Sequence, residues 1–143
     1  IMANRIPTYV DATSEKISEL LEGDFLSTVG NGIAEGHIDI SGNAPVVDLS
    51  KASSFSLTLS ANAVISFENS PSPASCVFSL EIIQDAGDSG FTVTWPTGIS
   101  WPDATAPVLS AGVDKRDVVV FTNAWVSGGN PSKFIGYHAG KNI

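Results

Sequence analysis

The stretch "CVFSLEII", residues 76–83, decides the fold class. Cys76, Phe78, Leu80 and Ile82 fall on one side of an extended chain, and Val77, Ser79, Glu81 and Ile83 on the other. An apolar period of two is the signature of a strand with one face in a core. The same period repeats on both sides of this stretch. "FSLTLS" (55–60) sets Phe55, Leu57 and Leu59 against Ser56, Thr58 and Ser60, and "AVISF" (63–67) sets Ala63, Ile65 and Phe67 against Val64 and Ser66. "FTVTW" (91–95) sets Phe91, Val93 and Trp95 against two threonines. "DVVVFT" (117–122) is apolar on both faces, which predicts an interior strand, and "KFIGYH" (133–138) closes the series. Segments rich in Ser, Gly, Pro, Asn and Asp separate the runs: "SANA", "ENSPSPAS", "QDAGDSG", "SAGVDKR" and "SGGNPS". Many short strands with such turns predict an all-β domain over residues 46–143. The expected architecture is an antiparallel β-sandwich of jelly-roll type.

Residues 1–45 read differently and are predicted to form an arm. "SEKISELLEGD" (14–24) places Ile17, Leu20 and Leu21 at helical spacing, with Ser14 as a cap and Gly23 as a stop. A piece of one or two turns does not stand without packing, and an extended conformation fits nearly as well. "STVGNGIAEGHIDISGNAP" (27–45) reads as loops around a short strand at Ile38–Ile40. The arm carries Ile6, Tyr9, Ile17, Leu20, Leu21 and Phe25, whose burial against a neighbouring subunit or another protein would hold it in place.

Composition narrows the function. The chain has 143 residues, 43% hydrophobic and only 15% charged, with a formal net charge of −8. The low charge fraction predicts surface covered by a partner. The acidic balance repels phosphate backbones and anionic membranes, so neither nucleic acid nor membrane insertion is expected. The one cysteine, Cys76, cannot form an internal disulfide and reads as a buried, inert thiol. The first residues lack the apolar core of a secretion signal, and Ile1 before Met2 suggests that Met2 is the natural start.

Chemistry is hard to place. "GDSG" (87–90) matches the nucleophile loop of a chymotrypsin-like protease, but no histidine segment accompanies it, and a hairpin loop explains the glycines and aspartates better. A calcium site at Asp85, Asp88 and Ser89 lacks the ligand spacing it would need. His37 and His138 have no second histidine or cysteine at i+2 or i+4 and read as solvated or interface side chains. No paired carboxylates and no phosphate loop stand out, so no enzyme activity, cofactor or metal is expected. The tryptophans remain. In "VTWPTGISWP" (93–102) Pro96 and Pro102 bias Trp95 and Trp101 toward extended backbone, so each Trp-Pro ends a strand in a bend. Trp95 continues the inward register of Phe91 and Val93. Trp101, Trp125 and Tyr137 are the candidates for surface or partner contact, stacking on a sugar or packing in an interface.

The chain from Val46 onward resembles a module of bacteriophage tail-fibre and related virion proteins. The resemblance rests on "DLS" (48–50), "ISFENSP" (65–71), "FSL…QD" (78–85), "TVTWP…ISWP…APVLS" (92–110), "DVVVFT" (117–122) and "FIGYHAGK" (134–141). Leu49, Phe67, Leu80, Trp95, Pro96, Trp101, Pro102, Pro107, Asp117, Phe121 and Gly140 occupy the recurring positions. The head, "MANRIPTYVDATSEKISELLEGDFL" (2–26), is similar to the start of such proteins. The resemblance implies a non-enzymatic virion structural protein, assembled in the bacterial host cytoplasm and trimeric. Its expected partners are its own copies, other phage virion proteins and a host surface glycan. A capsid decoration (cement) protein clamping neighbouring capsid subunits is the alternative, because no repetitive shaft separates head from tip. A free carbohydrate-binding module is the third reading.

Overall fold

The structure is a computed structural model, and it describes residues 27–29, 32–71, 75–87, 90–124 and 133–143. The expected helical or extended segment at 14–21 and the arm contacts Ile6, Tyr9, Ile17, Leu20, Leu21 and Phe25 lie outside these residues, as does Trp125. The chain divides after Ala34. Before the division, β1 (Ser27–Val29) and β2 (Gly32–Ala34) form an antiparallel pair.

After it the described chain is all-β except for one short 3-10 turn. The strands are β3 (His37–Ile40), β4 (Val46–Asp48), β5 (Ser54–Leu59), β6 (Ala63–Val64), β7 (Ser66–Glu68), β8 (Cys76–Gln84), β9 (Val93–Thr94), β10 (Arg116–Ala124) and β11 (Lys133–Lys141). Five of them form one sheet in the order β11-β10-β8-β5-β3. The short strand expected at Ile38–Ile40 forms, but as the edge of this sheet and not as part of a separate arm.

The expectation of a purely antiparallel sheet is corrected. β10 pairs antiparallel with β8 and β11, but β5 pairs parallel with both β3 and β8. The reason lies in the connections. A parallel pair needs a crossover of about a dozen residues or more, and residues 41–53 and 60–75 are long enough to provide it. The Ser- and Pro-rich stretches that looked like hairpin turns are parts of these crossovers. Each crossover lays short strands over one face of the sheet, where β4 pairs parallel with β7 and β6 with β9. The result is two packed layers with a mixed strand order.

The period of two is obeyed where it was read, except at Ser56, which is buried although it lies on the polar side. Phe55, Leu57 and Leu59, Phe78, Leu80 and Ile82, and Val119 and Phe121 are buried on the inner face, joined by Val47, Ala63 and Ile65 from the covering layer. Phe78 and Phe121 are cross-strand partners and stack at 4.9 Å and 18°. Phe67 from the covering layer meets both rings edge-on at 5.1 and 5.0 Å. Such pairs add about 0.5–1.5 kcal/mol each beyond area burial, so the aromatic stack both fills the space between layers and fixes their register.

"DVVVFT" is interior, as its two-sided pattern requires: β10 lies between β8 and β11. Its outer side chains, Val118 and Val120, are half-buried. Val77 and Tyr137 on the same outer face are 61% and 45% exposed. On this face Val77, Ile83, Val118, Val120, Ile135 and Tyr137 are interspersed with Ser79, Glu81, Arg116, Thr122 and Lys133. Cys76 is half-buried at the start of β8, and burial pushes its thiol pKa up, in keeping with an inert thiol.

Candidate functional site

The Trp-Pro stretch folds into a corner at the open side of the aromatic stack. Trp101 has extended backbone, φ −110° and ψ 148°, as its position before proline requires. Pro102 then starts the 3-10 turn Pro102–Ala104. The two indoles meet edge-on at 5.3 Å, and each packs on Phe121, at 5.7 Å for Trp95 and 5.8 Å for Trp101. Ser100 pairs in parallel with Ile135 at the free edge of β11: Ser100 N–H donates to Phe134 O (2.8 Å) and Gly136 N–H donates to Ser100 O (3.0 Å). That bridge delivers Trp101 onto Gly136. A β-carbon at Gly136 would lie 2.3 Å from Trp101 Cζ3, so only glycine admits the indole. Gly136→Ala is expected to destabilise the fold by about 1–3 kcal/mol, the range for overpacking. Thermal melting and the accessibility of Trp101 fluorescence to a quencher check this together, since displacement of the indole should raise quenching as stability falls.

Beside this corner a cleft of about 290 Å³ opens, lined by Trp101, Pro102, Thr105, Pro107, Tyr137 and His138. Two of the three side chains singled out in the sequence as contact candidates, Trp101 and Tyr137, thus share one cleft. Nothing in the spacing predicts the meeting, because it depends on Ser100 pairing with β11. The rim carries backbone strain: Asp103 and Ala104 adopt left-handed φ of 52° and 53°. Non-glycine residues in that region cost on the order of 1 kcal/mol or more and cluster at ligand sites.

Behind His138 stands a carboxylate the sequence reading did not single out for chemistry. Asp117 is 1% exposed. It accepts from Ser110 N–H at 2.6 Å (Oδ2), from Ser110 Oγ–H at 3.0 Å (Oδ1) and from His138 Nε2 at 2.9 Å (Oδ1). A carboxylate only accepts, so Nε2 carries the ring proton. The trio is not a hydrolase relay. Ser110 donates to the carboxylate and not to the imidazole, so the base that would activate it is on the wrong side. The bonds instead tie the 107–111 segment, the cleft's Pro107 wall included, to β10 and β11.

A second Ser–His–Asp group lies on the outer face of the β3 edge. His37 Nδ1 is 2.8 Å from Ser54 Oγ, His37 Nε2 is 3.3 Å from Asp39 Oδ1, and Asp39 also accepts from Ser56. The Ser56 hydroxyl, then His37, hold the Asp39 carboxyl below its ordinary range. The connectivity is that of a relay, but His37 and Asp39 side chains are 48% and 86% exposed, so the water exclusion that makes such a relay effective is missing. His37-x-Asp39 was legible as neighbours on one strand face. The His138–Asp117 contact was not, because it depends on the β10–β11 register.

The remaining polar groups are structural. Asp48 accepts from Asn69 and from Ser50 and pairs with Lys51, and the Asn69 and Ser50 bonds hold its carboxyl far below the usual carboxylate range. Buried Gln84 both donates to Phe91 O and accepts from Phe91 N–H, closing the "QDAGDSG" loop, in which Gly87 N–H donates to Asp85. Asp88 and Ser89 lie outside the described residues. Among the described residues no group of three or more His, Cys, Asp or Glu is placed to hold a metal ion, and no helix is long and apolar enough to cross a membrane. Compared with family models, with curated proteins and with solved structures, the chain matches none.

Proposed function

We propose that the chain is a non-enzymatic structural protein of a bacteriophage virion, a homotrimeric module of tail-fibre or receptor-binding type. The observation that carries this reading is the convergence of the recurring positions of the resemblance. Phe67, Trp95, Trp101 and Phe121 form one packed cluster, and Asp117 anchors the loop that follows the Trp-Pro corner. The motif therefore encodes a corner of the fold, and the corner ends in an exposed aromatic cleft, which is what a recognition module needs. On this reading the five-stranded sheet and the short strands packed on it would correspond to the sandwich of that module, with parallel pairs among the antiparallel ones.

The outer face of β8, β10 and β11 supports the oligomeric part. Its apolar side chains Val77, Val118 and Val120 make a surface that water covers poorly, and a closed symmetric assembly buries such a face without leaving it open to further growth, with Tyr137 left accessible on the edge strand. The partners on this reading are two further copies, neighbouring virion proteins bound through the segment before Ala34, and a glycan of the host surface. A decoration protein on the capsid would use the same face and the same segment, and its place in the particle separates the two.

Two measurements test the proposal. Light scattering on the purified protein should give three times the chain mass of 14.9 kDa, and a single-chain mass at micromolar concentration overturns the trimer. Density-gradient particles of the encoding phage should contain the chain at the tail tip by gold-labelled antibody. Labelling over the capsid surface transfers the assignment to a decoration protein, and absence from particles removes the virion reading.

A further inference from the structure

We propose that the cleft between the Trp-Pro corner and β11 is a saccharide subsite in which His138 Nδ1 accepts a hydrogen bond from a sugar hydroxyl, with Asp117 as the positioning residue that leaves that nitrogen free. This deepens the receptor-binding reading and rests on it for the source of the sugar, a surface glycan.

The chemistry follows from the lining. A sugar ring has an apolar C–H face and a belt of hydroxyls. The cleft offers the same duality: Trp101, Pro102 and Pro107 are apolar, while Thr105, Tyr137 and His138 bring polar tips. Its volume of about 290 Å³ sits at the lower end of small-molecule sites, about 300–1,000 Å³, which suits one or two rings. A nucleotide would also stack on an indole, but the lining holds no Lys or Arg, and a chain of net charge −8 repels phosphate.

His138 supplies the directional contact. Its Nε2 is committed to Asp117. Among the described residues Nδ1 has no partner, and the one buried side-chain polar atom left unpaired is Asn123 Oδ1. Nδ1 is therefore open to solvent on a side chain that lines the cleft. In the neutral ring with its proton on Nε2, Nδ1 is an acceptor. Asp117, itself buried and fixed by two bonds from Ser110, sets both the tautomer and the tilt of the imidazole, as a carboxylate behind a histidine does elsewhere. The strained backbone of Asp103 and Ala104 on the rim is the local cost of holding the corner in this shape.

The test uses the full chain and nuclear magnetic resonance. Free glucose, galactose, N-acetylglucosamine and rhamnose are titrated separately to about 50 mM, far above the millimolar constants expected of a single small ring. The expected result is a saturating shift of the Trp101 indole N–H and of the His138 ring signals with at least one sugar. Tyr137→Ala, at an exposed position, and His138→Gln should each weaken that sugar at least tenfold. The ring nitrogens of His138 should read as protonated Nε2, bonded to Asp117, and bare Nδ1. Asp117→Asn should change that pattern and weaken the sugar, a response that a purely structural role would not give. The pattern can be read in the parent protein even where the variant fails to fold. No shift with any of the four sugars, shifts away from the cleft, stronger binding of adenosine than of any sugar, or a protonated Nδ1 in the parent overturns the proposal. The virion reading fails separately: sugar binding by a protein absent from particles keeps the subsite and removes the virion, and the reverse result does the opposite.

Discussion

Phe121→Ala is expected to cost about 3–5 kcal/mol, the range for truncating a large buried aromatic. The residue is fully buried at the middle of β10. Its ring stacks on Phe78 and touches Phe67 in the covering layer and both indoles of the Trp-Pro corner. Removing it therefore opens a void shared by three groups. None of them collapses easily: Phe78 is held by its place in β8, Phe67 by the β4–β7 ladder, and Trp101 by the Ser100 bridge. A domain of this size has about 5–15 kcal/mol of stability in all, so the variant should melt on the order of 10–20 °C below the parent. Trp95→Ala should cost less, because Trp95 is only half-buried. Denaturant unfolding of both variants checks the order. If Trp95→Ala proves the more damaging, the corner and not the central stack holds the layers together.

That ordering marks how far the sequence could be read. The strands with the clearest alternation, "FSLTLS" and "CVFSLEII", are strands with the expected faces inward, because a period of two reports burial on one face whatever the neighbours are. "AVISF" forms as two short strands around Ile65, with Ala63 and Ile65 buried as read. What alternation does not report is direction. A strand with one buried face reads the same beside a parallel or an antiparallel partner, and only the length of the connection tells them apart. Residues 60–75 contain two short strands, β6 and β7, each paired with a strand outside this stretch, and reading the segments on either side of them as turns hid the crossover. The aromatic pair of the cleft was named residue by residue, Trp101 and Tyr137. Their meeting was not visible, because it rests on an isolated bridge at Ser100 and on a glycine, Gly136, whose signal in the sequence is only the absence of a side chain. Asp117 was visible as a recurring position but not as a buried acceptor, since its three donors come from 7 and 21 residues away.

Asp117→Ala should be nearly as damaging as the loss of Phe121, by a different route. The carboxylate gives Ser110 N–H its acceptor at 2.6 Å and also serves Ser110 Oγ and His138 Nε2. Alanine leaves all three donors without it. The Ser110 hydroxyl can rotate, and His138, being partly exposed, can turn to water or change tautomer. The backbone N–H cannot move without moving the chain, and Ser110 is 6% exposed. A buried donor left unmade costs about 1–3 kcal/mol, so the total should come to roughly 2–4 kcal/mol, dominated by that one group. The neighbouring Arg116 supplies the control. It pairs with Glu81 at 3.0 Å, but both side chains are substantially exposed, 49% and 32%, and an ion pair of that kind is worth about 0–1 kcal/mol. Arg116→Ala should therefore change stability little, one residue away from a substitution that nearly unfolds the loop. Asp117→Asn should fall between them, since the amide oxygen can still take the Ser110 N–H while the amide nitrogen faces His138 Nε2 and reverses the donor there. Urea midpoints measured for the three variants at one pH decide the matter. Equal losses for Asp117→Ala and Arg116→Ala would mean that the Ser110 segment is held by the packing of Leu109 alone, and the buried carboxylate would then serve His138 and nothing else.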